Sequence, residues 1–276
     1  MKRAKYIYRF WFAIGSVLSL LYAFPFFLVL INSFKDRRTV RENPLSWPEG
    51  FALDNFTTAI KRMEFWQALT NSVMITVLGV VSIVLVSSML AFYLARSRTK
   101  FSGATFLILV TSMIVPFQAL MIPFSGLFGK AGLNVLNNQF WLVFFYVGFG
   151  VAMSTFLYHG FIKNIPMELD EAAALDGASA WTTFWRVIFP MLSPVTATVA
   201  IINGLWIWND YLLPSIVLLD NDIKTVPLRT FVFYGQYTSD YGLAMAALVM
   251  SIIPIVIFYF AMQRQIIQGI SAGAVK

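Results

Sequence analysis

Four of the thirteen acidic residues in this 276-residue chain, Glu168, Asp170, Glu171 and Asp176, fall within a single short stretch. Carboxylates this close raise the question of metal or acid–base chemistry, but the rest of the chain offers them little help. There is no cysteine and a single histidine, His159, which leaves almost nothing for a zinc or transition-metal site and nothing for thiol or disulfide chemistry. A phosphate-binding loop is also missing. Gly129-Lys130-Ala131 lacks both the glycine spacing and the hydroxyl that would hold Mg²⁺. No catalytic cluster stands out, so turnover by this chain is not expected and any energy source must come from a partner. An acidic stretch can still offer a soluble partner a charged docking surface.

The elements that present these carboxylates follow from their neighbours. Pro166 suits a first helical turn, and Glu168, Asp170 and Glu171 near that end complement the helix dipole. Gly177 can adopt the left-handed geometry that ends such a helix, and Ser179 is placed to cap a second one. In that second helix Trp181, Phe184, Trp185, Ile188 and Phe189 recur at helical spacing and share one face. The expectation is a helix, glycine turn, helix unit lying along a membrane surface; a simple interfacial hairpin filling a loop would have the same pattern.

The membrane is implied by the remaining composition. Hydrophobic residues make up 59% of the chain and charged residues 12%, about half the share usual in soluble domains. No Asp, Glu, Lys or Arg interrupts the intervals between Arg9 and Lys35, Glu64 and Arg96, Lys100 and Lys130, or Asp240 and Arg264, and each exceeds the roughly 20 residues a spanning helix needs. Two further stretches, 135–158 and 194–219, complete an all-α reading with six transmembrane helices. The continuous apolar runs argue against a β-barrel.

The expected organisation is a cytosolic N-terminus at 1–9, spans at 10–33, 71–95, 103–125, 135–158, 194–219 and 241–263, and a cytosolic tail at 264–276. Extracytoplasmic loops occupy 34–70 and 220–240, and a cytosolic loop occupies 163–190. The basic leader with Lys2, Arg3, Lys5 and Arg9 precedes a run too long for a signal core, so it reads as an uncleaved anchor. Eleven of the twenty Lys and Arg fall inside on this topology; the orientation therefore rests on the leader and the short 96–100 loop. The net charge of +7 is read as attraction to the membrane surface, since basic residues scattered over both sides give no nucleic-acid footprint. The basic run from Lys35 to Arg41 reads as a solvated loop.

Polar residues inside a span need a reason. Asn203, Trp206 and Asp210 share a helix face, with Asn209 beside them, and Pro214 cannot donate to the carbonyl of Asp210. A bent, locally polar backbone is expected there. The face pairs hydrogen-bonding groups with aromatic surface, which can line a polar route; equally, these residues can tie helices together. Pro116 and Pro123 are expected to kink the third span. Trp11 and Trp141 read as belt residues, and His159 as an interfacial residue.

Glu171-Ala172-Ala173, three residues, Gly177, nine residues, then Val187-Ile188-Phe189-Pro190 resembles the EAA loop of ABC importer permeases, with Val187 and Phe189 as mild apolar departures from its Ile-x-Leu-Pro ending. Trp208-Asn209-Asp210-Tyr211-Leu212-Leu213-Pro214 and the ending Gly269-Ile270-Ser271-Ala272-Gly273-Ala274-Val275-Lys276 resemble stretches of carbohydrate-type permeases similar to the smaller maltose-system subunit. Asn203 to Asp210 and Gly235-Gln236-Tyr237 most resemble permeases for raffinose or multiple sugars.

The resemblance implies a type I importer architecture in the cytoplasmic membrane. It implies a second homologous permease subunit, a cytosolic ATPase dimer carrying ATP and Mg²⁺, and an extracytoplasmic sugar-binding protein. No cofactor is expected on this chain. Glu171, Ala172, Ala173, Asp176, Gly177 and Pro190 occupy the ATPase-coupling positions. Asn203, Trp206, Asn209 and Asp210 are candidates for the substrate path, and Gly235, Gln236 and Tyr237 for contact with the binding protein. The alternative function is an ion-coupled secondary transporter or channel, although only Asp210 would serve for ion coupling within the membrane.

Overall fold

A computed structural model of the chain describes residues 2–50, 53–97, 99–233 and 240–274, and is helical throughout with no strand among them. Four helices are long and apolar enough to cross a bilayer singly: Ile7–Asn32, Phe65–Arg96, Gln139–Ile162 and Tyr241–Gln263. Two more candidates are bent pairs. Lys100–Ser112 and Phe117–Phe128 meet at 101°, and Ala180–Met191 and Ser193–Asn209 meet at 77°. The chain is therefore a multi-pass membrane protein with four spans, or six if each bent pair counts as one.

We number the helices used below α1 (Lys2–Asn32), α2 (Arg37–Glu42), α3 (Asp54–Arg62), α4 (Phe65–Arg96), α5 (Lys100–Ser112), α6 (Phe117–Phe128), α7 (Gln139–Ile162), α8 (Glu168–Leu175), α9 (Ala180–Met191), α10 (Ser193–Asn209) and α11 (Leu212–Val217). Helix α12 covers Val226–Thr230 and α13 covers Tyr241–Ala274.

The chain divides into two compact units, residues 1–66 with 229–254, and 67–228 with 255–276. In the first unit the basic stretch after α1 is folded, contrary to the expectation of a solvated loop. Asp36 caps α2 by accepting from the Thr39 amide at 2.9 Å, and hydrogen bonds from the Thr39 side chain, first, and its amide hold the Asp36 carboxyl below the ordinary carboxylate value. Lys35 is 3% exposed, its ammonium donating to the carbonyls of Asn43 and Pro44 at 3.2 Å, and burial pulls its pKa down. Asn55 of α3 closes the turn by donating to the carbonyls of Ser33 and Lys35.

In the second unit α7 is the hub, packing against α5, α10 and α11. Lipid gives apolar helices no hydrophobic reason to associate, so close approach and polar ties must do so, each tie contributing about 0.6–2 kcal/mol. Both are present. A Cβ on Gly150 of α7 would stand 2.6 Å from the Ile83 side chain and 3.0 Å from that of Asn203, so α4, α7 and α10 approach closely at this glycine. Tyr158 donates to Thr196 at 3.0 Å, and Asn203 donates to Ser154 at 3.0 Å. His159, expected at the interface, is instead 7% exposed and stacked on Phe106 of α5 with ring centres 4.0 Å apart.

Candidate functional site

The acidic stretch forms α8, which is exposed apart from Asp170 and the half-buried Ala173. Its end is fixed by a Schellman motif: the Ala178 amide donates to Ala173 at 2.9 Å and the Gly177 amide to Ala174 at 3.0 Å. Gly177 has φ +80, the left-handed region in which a side chain is strained, although the space around it is open. Backbone conformation, not crowding, requires glycine here. Ser179 then caps α9, its hydroxyl accepting from the Thr182 amide at 3.2 Å. Glu171, Ala172, Asp176 and Gly177 are exposed and Ala173 is half-buried. Leu175, which the sequence reading passed over, is 90% exposed at the tip.

One long-range contact anchors this surface. The Arg96 guanidinium, at the end of α4, lies 2.7 Å from the Asp170 carboxylate, and both side chains are mostly buried. The same guanidinium donates to the Ile165 carbonyl at 3.2 and 3.3 Å. A cavity of about 570 Å³ opens beside the pair, walled by Phe92, Tyr93, Trp181 and Phe184.

The aromatic face predicted for α9 is divided. Phe184 and Ile188 are buried, with Phe184 against Phe92 of α4, whereas Trp181 is 61% exposed. Trp181 stands in the first turn of α9, ahead of a π turn at Phe184–Ile188 whose two end residues are both buried. Pro190 lies two residues beyond the π turn, exposed, and cannot donate to the Arg186 carbonyl.

A second polar region lies where α10 stops. Asp210 is extended (φ −70, ψ 133), and α11 begins two residues later, so the bend expected before Pro214 is present. The Asp210 carboxylate organises this break. Oδ1 accepts from the Leu212 amide and Oδ2 from the Tyr146 hydroxyl, each at 3.0 Å. Trp206 is 37% exposed and meets the Tyr146 ring edge-on at 5.3 Å. Asn209 is exposed and bonded back to the Leu205 carbonyl. Asn203 faces inward, only 5% exposed, with its amide donating to Ser154 and to the Val199 carbonyl. Of the four path candidates, the structure gathers Trp206 and Asp210 around Tyr146 and places Asn203 in the seam with α7.

Gly235, Gln236 and Tyr237 lie outside the described residues. The segment leading towards them is firmly held. Asn137, at φ +66, accepts from the amides of Leu219 and Asp220 at 3.0 and 2.8 Å and donates to the Asp220 carboxylate at 2.6 Å. Gln67 and Asn71 donate to the Asp222 carbonyl, and the Ser72 hydroxyl accepts from the Val226 amide. None of these anchors was visible in the sequence, because each joins segments far apart along the chain.

The fold and these sites define a membrane transport subunit. The chain belongs to the family of binding-protein-dependent transport system inner membrane components, whose pattern matches residues 83–272. It is 43% identical over 272 residues to the probable starch degradation products transport system permease of Thermoanaerobacterium thermosulfurigenes, covering 99% of this chain and 97% of that protein. It is 37% identical to the multiple sugar-binding transport system permease of Streptococcus mutans, covering all of both chains. Against the melibiose/raffinose/stachyose import permease of Bacillus subtilis identity is 31%, covering 95% of each. The fold matches a chain of a bacterial ABC transporter that imports the acidic polysaccharide alginate, with a TM-score of 0.77 at 22% identity over 91% of this chain and 93% of that one.

Proposed function

We propose that this chain is one permease subunit of an ABC importer for a sugar or oligosaccharide, driven by ATP hydrolysis on a separate subunit. The observation that carries the reading is α8: a largely exposed acidic helix, ending in an exposed Leu175 and gripped from behind by Arg96 through Asp170, in a chain of this family. Glu171, Ala172, Ala173, Asp176 and Gly177 form the docking face for a cytosolic ATPase dimer, with Pro190 fixing the return into α10. ATP and Mg²⁺ belong to that partner, and this subunit does no covalent chemistry. Sugar as cargo is favoured by the relatives, which are sugar permeases by name.

Six spans with both ends cytosolic put α8 and α9 on the ATPase side of the cytoplasmic membrane. A second, homologous permease completes the path. In the first span, only 6% of the most apolar window is buried within this chain, which leaves a face for that subunit or for lipid. Sugar passes along Trp206, Asn209 and Asp210, and the buried Asn203 braces α10 against α7. The loop containing Gly235, Gln236 and Tyr237 meets an extracytoplasmic sugar-binding protein. Rocking of the bundle around the path provides alternating access.

The test is tagged purification from membranes with identification of bound proteins, followed by uptake in vesicles. An ATPase, a second permease and ATP-dependent uptake that survives collapse of the proton gradient are expected. Uptake by this chain alone, driven by an ion gradient, overturns the reading.

A further inference from the structure

We propose that the pocket between the break after α5 and the break after α10 is a subsite for a single neutral sugar ring, with Gln118 as a hydrogen-bonding residue of that subsite. The inference rests on the sugar-importer reading and places the cargo on this chain.

The pocket has a volume of about 250 Å³ and includes Ser112, Phe117, Gln118, Phe149, Trp206 and Asp210 in its wall. It lies just below the roughly 300–1,000 Å³ of typical small-ligand sites, which suits one ring and excludes a folded oligosaccharide. Two interrupted helices border it. The third candidate span stops at Ser112 and restarts at Phe117, and α10 stops at Asn209 with α11 following from Leu212. Irregular backbone at membrane depth is tolerated where it lines a polar cavity, and transporter sites form at such breaks.

The polar groups of this pocket are only partly used. The Asp210 carboxylate accepts from the Tyr146 hydroxyl and the Leu212 amide, with the amides of Leu213 and Tyr211 also directed at it. The Ser112 hydroxyl donates to the Leu109 carbonyl at 2.7 Å and retains its acceptor capacity. The Gln118 amide and the Trp206 indole N–H make no hydrogen bond among the described residues, and both side chains are exposed. Two free donors, several acceptors and the rings of Phe117, Phe149 and Trp206 are thus arranged around one small space.

That combination matches a pyranose ring, which carries hydroxyls around its rim and apolar C–H groups on its faces. A cation would have no use for the amide and indole donors, and the one carboxylate is already stabilised by protein donors. A lipid chain would leave every polar group unpaired. Gln118 entered neither the motif nor the charge pattern of the sequence; it belongs to the site because α6 turns back by 101° from α5.

The test uses the complete importer in proteoliposomes, with its binding protein outside and ATP inside. Maltotriose, raffinose and diazirine-bearing maltotriose serve as probes, within a panel running from glucose to stachyose. Photolabelling is expected on peptides containing residues 112–118 or 206–213, and excess unlabelled sugar is expected to suppress it. Gln118→Leu, which removes a side chain with no hydrogen-bond partner among the described residues, is expected to slow uptake about three- to tenfold, the equivalent of one lost hydrogen bond, without loss of assembly. Labelling confined to other segments, with uptake by Gln118→Leu unchanged, overturns the subsite and leaves the importer reading standing. A wild-type assembly that takes up no sugar of the panel overturns the importer reading, and the subsite with it.

Discussion

Arg96 and Asp170 face each other across 2.7 Å, joining the end of α4 to the helix that carries the exposed acidic surface. Both side chains are mostly buried, so the pair is neither a solvated surface bridge nor a fully desolvated one. Its disruption should cost about 1–3 kcal/mol, between the two regimes. Arg96→Ala is expected to lower the unfolding temperature in detergent and to reduce uptake more than ATP hydrolysis, because α8 then moves independently of α4. The exchange Arg96→Asp with Asp170→Arg is expected to recover part of both. Equal uptake by wild type and Arg96→Ala would show that the pair transmits nothing.

At Gly177 the prediction separates backbone geometry from size. A β-branched residue at φ +80 is strained by about 1–2 kcal/mol, whereas asparagine tolerates the left-handed region. Gly177→Val is expected to reduce binding-protein-stimulated ATP hydrolysis and uptake while the chain still reaches the membrane, and Gly177→Asn is expected to retain most activity. Loss of function with Gly177→Asn and retention with Gly177→Val would refute the backbone explanation.

Topology can be read with single cysteines, since the chain has none of its own. Lys163, Ser179, Lys130 and Asn221 are all exposed, so labelling there reports sidedness and not burial. In intact cells an impermeant thiol reagent is expected to modify cysteines at Lys130 and Asn221 and to spare those at Lys163 and Ser179. Modification at Ser179 would invert the proposed orientation.

Asn137 combines a left-handed backbone with three side-chain bonds to Leu219 and Asp220, and two substitutions tell these roles apart. Asn137→Gly keeps the backbone and loses the bonds; Asn137→Ala loses the bonds and adds strain. Each is expected to weaken stimulation of ATP hydrolysis by the binding protein, Asn137→Ala more strongly, with basal hydrolysis unchanged. An unaltered response in both variants would mean that the 219–226 segment needs no anchor for that contact.

What the sequence by itself determined is local. The helix end at Gly177, the cap at Ser179 and the break before Pro214 each depend on residues within a few positions, where φ preferences, missing donors and short side-chain bonds decide the backbone. Three of the four charge-free intervals, after Arg9, Glu64 and Asp240, likewise mark helices long enough to cross a bilayer, because length and hydropathy are properties of a single segment; the fourth, after Lys100, holds two helices bent at 101°. Which side of each helix meets which neighbour was not legible. A helix apolar on every face carries no stripe to set its rotation, so the Tyr146–Asp210 bond across 64 residues, the Asn203–Ser154 tie and the Arg96–Asp170 pair all had to come from packing. The same holds for the buried Lys35 and for Gln118. Carbonyls 8 and 9 residues away bury the first, and a 101° turn between two helices brings the second into the pocket.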